Sequence, residues 1–218
     1  MRARRAHCSA GAFSCNCCLI HWGKGGIFLE TVKPINKTRR LTESAVMIAL
    51  ATVLSMVQVY SLPNGGSITA CSMVPLVLIA MRYDLKWSLF VGFVHSVLQL
   101  FLGLGAVRGL TLGTTVAVVL LDYTFAFTVL GLSGVFKNRI KNQAIAAAAG
   151  GALGCLLRFA CHFLSGWLIW AVLWPPEGML PAAYSLAYNG SYMLPEAVIT
   201  AVVSALLVQF LPMYQRAQ

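Results

Sequence analysis

Arg158, His162, Gly166 and Trp170 recur every four residues inside the apolar run RFACHFLSGWLIW (158–170). That spacing stacks side chains on one face of a helix. An arginine near the centre of a membrane helix costs about 2.5–3.5 kcal/mol even on a lenient insertion scale, so its presence needs a reason. Two other apolar runs are broken in the same way. LLDYTFAF (120–127) places Asp122 and Tyr123 mid-run, and AYSLAYNGSYMLPE (183–196) holds Tyr184, Tyr188, Asn189, Tyr192 and Glu196. The loop SLPNGGSITACS (61–72) adds Asn64 and Ser67.

Each of these residues has a plain structural explanation when taken alone. Arg158 could pair with Asp122 or Glu196, and His162 could be a packing residue with its hydrogen bonds satisfied. Trp170 and Tyr184 could belong to an interfacial aromatic belt. Gly150 and Gly154 form a small-xxx-small pair suited to helix packing. Taken together the polar groups are harder to dismiss, because ionisable side chains inside a membrane mark functional sites by default. They also share a chemical theme. Aromatic faces beside one acid hold an organic cation through cation–π contact, worth about 0.5–2 kcal/mol each, and a counter-ion. Asn and His supply directed hydrogen bonds to a heteroaromatic ring. The site therefore suits a flat, nitrogen-rich, positively charged small molecule.

The elements that must carry these groups are membrane helices. Hydrophobic residues make up 59% of the 218-residue chain and charged residues 10%, against about a quarter in soluble domains. The fold class expected is an all-α integral membrane protein of six transmembrane helices. The spans fall at 42–60, 70–82, 86–103, 112–134, 144–173 and 183–211, the second of them short. A net charge of +10 would suggest nucleic acid in a soluble protein. Here the basic residues instead flank the apolar runs, so no nucleic-acid partner is expected. Lys33, Lys37, Arg39 and Arg40 precede the first span, and Arg82 and Lys86 separate the second from the third. Lys137, Arg139 and Lys141 separate the fourth from the fifth, and Arg216 follows the sixth. The opposite loops hold only Arg108 and Glu177. This alternation places both termini in the cytoplasm of a multi-pass cell-membrane protein.

Residues 1–40 differ from the rest and read as a cytoplasmic extension, disordered or not translated, with a possible start at Val32. The membrane domain is expected over 41–213. The extension holds Cys8, Cys15, Cys17 and Cys18, but their spacing fits no standard zinc pattern. Neither a metal nor a cofactor is expected.

Four segments carry a family resemblance: LPNGGSITACSMVPLVLIAMR (62–82), LLDYTFAF (120–127), LLRFACHFLSGWLIW (156–170) and YSLAYNGSYMLP (184–195). They resemble the thiamine-specific S component (ThiT/YuaJ family) of energy-coupling factor (ECF) vitamin transporters. The His-x7-Trp and Tyr-x4-Asn spacings are its most specific part. The resemblance implies an S-component-like bundle that binds and takes up thiamine, a thiazolium joined to an aminopyrimidine. It implies that Asp122 faces the thiazolium with Tyr123 beside it; the family pattern has Glu there, one methylene longer. His162 and Asn189 would hydrogen-bond the aminopyrimidine, Trp170 would stack on it with Tyr184 nearby, and Gly166 would leave room for the ring. Arg158 stands for a basic residue one turn before the His. The 62–69 loop would act as a lid, although it offers no aromatic between Leu62 and Cys71.

The implied partners are a coupling transmembrane subunit and two ATPase subunits. Docking would use Ala45 and Ala49, an Ala-x-x-x-Ala pair on the first span. The chain has no GxxxxGK[ST] phosphate loop, so it is read as a transport subunit and not an enzyme. The alternative is an S component for another vitamin or for a thiamine precursor such as a pyrimidine. An intramembrane enzyme finds no HExxH, no nucleophile elbow and no second acid paired in sequence with Asp122.

Overall fold

The computed structural model describes residues 17–23, 26–32, 36–63 and 65–214. Cys8, Cys15, Lys33, Asn64 and Arg216 lie outside the described residues. The chain divides into two compact units at Glu43/Ser44. In the first, β1 (Cys17–Gly23) and β2 (Gly26–Val32) pair antiparallel within the expected extension.

The membrane domain is built from α1 (Lys37–Met56), α2 (Val74–Arg82), α3 (Leu85–Leu102), α4 (112–136), α5 (143–173) and α6 (Pro181–Phe210). Four of them, α3 to α6, are each long and apolar enough to cross a bilayer. Local chemistry sets their starts. The Asp84 side chain accepts from Trp87 N at the start of α3, and the Asn142 side chain accepts from Ala144 N and Ile145 N at the start of α5. Such caps satisfy amides that a helix leaves unpaired in its first turn.

Two boundaries differ from the sequence reading. The first span ends at Met56, because Gln58–Ser61 (β3) pairs antiparallel with Ser67–Thr69 (β4). Val59 and Tyr60 favour a strand, and the hairpin's turn is closed by Leu62 N donating to Gly66 O at 2.7 Å. Gly65, with φ of 90°, takes the left-handed position that the turn needs. The second span shortens to α2, whose nine residues rise only about 14 Å. Val74 to Met81 are all buried, so α2 is a core helix that protein surrounds, and its ends need not reach lipid.

Glycines let the helices close around α2. A Cβ on Gly134 of α4 would run into the Ala80 carbonyl of α2, and one on Gly150 of α5 into the Ser133 carbonyl of α4. The Gly150/Gly154 pair thus serves helix packing. The inward stripe of α6 is polar, with Ser185, Asn189, Tyr192, Glu196, Thr200 and Ser204 all buried. Its exposed residues include Leu186, Leu194, Val198, Val202 and Phe210. This inversion suits a helix whose outer face meets lipid. α1 joins α3 through three side-chain contacts: Trp87 Nε1 to Ser44 Oγ at 2.9 Å, Thr52 Oγ1 with His95 Nδ1 at 3.4 Å, and Gln99 Nε2 to Ser55 Oγ at 2.8 Å.

Candidate functional site

Asp122 is the hub of the polar cluster. Its Oδ1 lies 2.9 Å from His162 Nδ1, and its Oδ2 accepts from Ser165 Oγ at 2.6 Å and Trp170 Nε1 at 2.9 Å. All three partners come from α5. Arg158 Nε donates to His162 Nε2 at 3.3 Å. With Nε2 accepting, the ring proton sits on Nδ1 and points at the Asp122 carboxylate. Arg158 therefore reaches Asp122 through His162 rather than directly. The guanidinium carbon lies 4.3 Å from the Phe127 ring centroid, in cation–π range.

Two π-helical turns make this cluster possible. One covers Val119–Phe125 of α4 around Asp122; the other covers Gly166–Trp170 of α5. On a straight α-helix, Trp170 would sit roughly 80° around the axis from His162. The wider π turn takes back much of that rotation and brings the indole N–H over the same carboxylate. Single π turns inside α-helices recur at functional sites.

The side chains of Asp122 and His162 remain 15% and 14% exposed, so the acid is reachable and not sealed into the core. A groove of about 280 Å³ opens elsewhere between α4 and α5, lined by Gly113, Thr114, Ala117, Leu168, Ile169 and Val172. Its lining offers no charge for a cation. The polar cluster, and not this groove, is the candidate site.

The other residues singled out from sequence fall around this hub in different ways. Asn189 Nδ2 donates to Ser185 O at 2.9 Å and approaches His162 O at 3.4 Å, and its Oδ1 accepts from Tyr192 OH at 2.7 Å. The amide thus ties α6 to α5. A Cβ on Gly166 would collide with Ser185 Oγ and come within 3.1 Å of Asn189 Nδ2. The space at Gly166 is filled by α6 and is not open room for a ring. Tyr184 stacks on Tyr188 with centroids 5.9 Å apart. The Tyr123 hydroxyl donates to Gly103 O at 3.1 Å, at the end of α3.

Ser165 was missed in the sequence, although it stands three residues after His162 on the same face. Ser185, Tyr188 and Tyr192 also join the network. Ala45 and Ala49 are exposed on α1, beside exposed Val46, Leu50 and Val53.

Comparison with known proteins gives one consistent result. A family described as "Thiamine transporter protein (Thia_YuaJ)" matches residues 41–215. The thiamine transporter ThiT of Bacillus subtilis (strain 168) is 34% identical over 185 residues, covering 79% of this chain and 92% of that one. The thiamine transporter ThiT of Lacticaseibacillus paracasei is 28% identical over 187 residues, covering 79% and 88%. A solved structure of ThiT from Listeria monocytogenes matches with a TM-score of 0.67 at 23% identity, covering 82% of this chain and 98% of that one. The last likeness establishes a shared fold.

Proposed function

We propose a function from one premise: this chain belongs to the thiamine transporter (Thia_YuaJ) family. It is a thiamine-binding S component, a membrane transport subunit and not an enzyme. The observation that carries the binding role is Asp122, a partly exposed acid within a membrane helix whose hydrogen bonds all come from side chains. Such donors can rotate and leave the carboxylate to a cation.

In this reading Asp122 is the counter-ion of the thiazolium. Trp170 and Tyr184 supply aromatic faces, and His162 turns from the acid toward the aminopyrimidine when the ligand enters. Arg158 holds the His162 tautomer and keeps its own charge parked on Phe127. Asn189 and Gly166 fix the α5–α6 spacing on which the site depends, and Tyr123 sets the end of α3 against the Asp122 turn.

The subunit acts in an ECF importer, with a coupling transmembrane subunit and two ATPases. The exposed Ala45 and Ala49 support a docking face on α1, since small residues let another helix approach closely. The basic flanks support a cell-membrane orientation with both termini in the cytoplasm. The family match beginning at residue 41 supports a division between an N-terminal extension over 1–40 and the membrane domain over 41–213.

The test is thiamine binding to the purified protein, read by quenching of intrinsic Trp fluorescence, with oxythiamine and riboflavin as controls. Saturable quenching by thiamine is expected, with oxythiamine weaker because its pyrimidine has lost the amino group. A folded sample that ignores thiamine and responds to another vitamin or to a free pyrimidine would move the ligand to that compound.

A further inference from the structure

The indole of Trp170 is held from two directions. At its edge, Nε1 donates to Asp122 Oδ2 at 2.9 Å. Against its face lies a second indole, that of Trp174, with ring centroids 5.6 Å apart and planes 19° from parallel. A hydrogen bond at one edge fixes Nε1 but lets the ring swing about that point. A flat ring against the face removes the swing. Stacked aromatic pairs with centroids roughly 4.5–7 Å apart attract beyond the area they bury.

The sequence builds Trp174 into this position. It follows the last residue of α5 and precedes Pro175 and Pro176. A residue before proline is pushed out of the helical region. Trp174 accordingly leaves the helix, with φ of −132° and ψ of 84°, while its backbone N–H still donates to Trp170 O at 2.8 Å. α5 thus stops one turn past Trp170, and the side chain at its end lies back on that ring. Trp174 is 63% exposed, so little of it is core packing. A Trp at a helix end can also sit in an interfacial belt. A belt asks nothing of the ring's angle, whereas here two indoles lie nearly parallel.

The stack has a consequence for a ligand. Trp174 occupies one face of Trp170, which leaves a ligand ring the other. A carboxylate has about four acceptor positions, so the indole can stay on Asp122 while a cation takes another. Binding then needs no reordering of Trp170. Without the brace the ring samples further rotamers, and affinity falls with the fraction that is still competent.

We propose that Trp174 is a positioning residue for thiamine binding: its indole covers the back of Trp170 and holds that ring with its N–H on Asp122 and its other face ready for the aminopyrimidine. The ligand in this statement rests on the thiamine reading above; the brace between the two indoles does not.

The experiment uses the full chain in lipid nanodiscs. Calorimetric titration reads thiamine affinity, and circular dichroism reads the exciton couplet of stacked indoles. Trp174→Ala should abolish the couplet and weaken thiamine binding roughly fivefold. Trp174→Phe also abolishes the couplet but keeps a flat ring on Trp170, so its affinity should stay within about twofold of the wild type. That rescue separates loss of the stack from loss of the fold. In a Trp170→Ala background, Trp174→Ala should change affinity by less than about twofold, because a positioning residue acts only through the ring it holds. Unchanged affinity in Trp174→Ala alone overturns the proposal. An undiminished loss in the Trp170→Ala background overturns it too, since Trp174 would then act without Trp170. A wild-type protein that ignores thiamine overturns the ligand reading, and the brace is then judged on the couplet. Its presence in the wild type and loss in both single variants upholds the stack; its absence from the wild type overturns it.

Discussion

Asp122 and Glu196 are both carboxylates inside membrane helices, yet their surroundings are opposite. Asp122 remains 15% exposed and accepts from three side chains of α5. Glu196 is 2% exposed and accepts from the backbone and hydroxyl of a single residue, Thr69. Side-chain donors can turn away at the cost of a rotamer change. A backbone donor cannot leave unless the chain moves. In the proposed reading the same chemical group serves as an exchangeable counter-ion in one place and as a fixed anchor in the other.

The largest expected effect breaks this comparison at Asp122. Asp122→Asn keeps the shape and hydrogen-bonding reach but removes the charge. Losing one partner of a largely desolvated ion pair costs about 2–5 kcal/mol. Thiamine affinity should fall by roughly 100- to 1,000-fold, while the uncharged aminopyrimidine half of the molecule should lose less than about tenfold. Calorimetric titration of both ligands reads this. Equal losses would make Asp122 a packing residue and erase the distinction from Glu196.

The next effect lies at Glu196 and should appear in stability. Glu196→Ala leaves the Thr69 amide and hydroxyl buried without their acceptor, a cost of about 1–3 kcal/mol. The melting temperature in detergent should drop, and the folded fraction should still bind thiamine. Loss of binding at an unchanged melting temperature would place Glu196 in the site and Asp122 would no longer be its opposite.

The sequence made one of these acids easier to read than the other. Asp122, Arg158, His162 and Trp170 stand out because charge is rare in apolar runs and because a spacing of four suggests a shared face. That spacing works here only with the π turn at Gly166–Trp170, which no residue pattern announces. Tyr123 shows the limit of adjacency. Neighbours on a helix point about 100° apart, and the residue next to the acid gives its hydroxyl to Gly103 O instead of to the Asp122 carboxylate. The partner of Glu196 is 127 residues away, and no local rule connects the two. The hairpin was hidden for a different reason. A search for about 20 apolar residues absorbs Gln58 to Tyr60 into the first span, although Val59 and Tyr60 suit a strand. The six-helix plan needed none of these details, because span length and charged flanks were enough to divide the chain.

The smallest expected effect sharpens the proposal that Asp122 is exchangeable. Ser165 Oγ is the nearest of its donors, at 2.6 Å, and is itself fully buried. If the carboxylate is held by donors that yield to the ligand, the Ser165 bond exists in the empty site and is lost on binding, so removing it penalises the empty site more than the complex. Ser165→Ala should therefore tighten thiamine binding by about 1 kcal/mol, or roughly fivefold, opposite in sign to the loss in Asp122→Asn and far smaller. Its lost bond leaves no new charge unpaired, since His162 and Trp170 still face the acid. A loss as large as that of Asp122→Asn would mean that Ser165 fixes the carboxylate as rigidly as Thr69 fixes Glu196. In that case Asp122 would owe its role to its position beside the opening and not to the mobility of its partners.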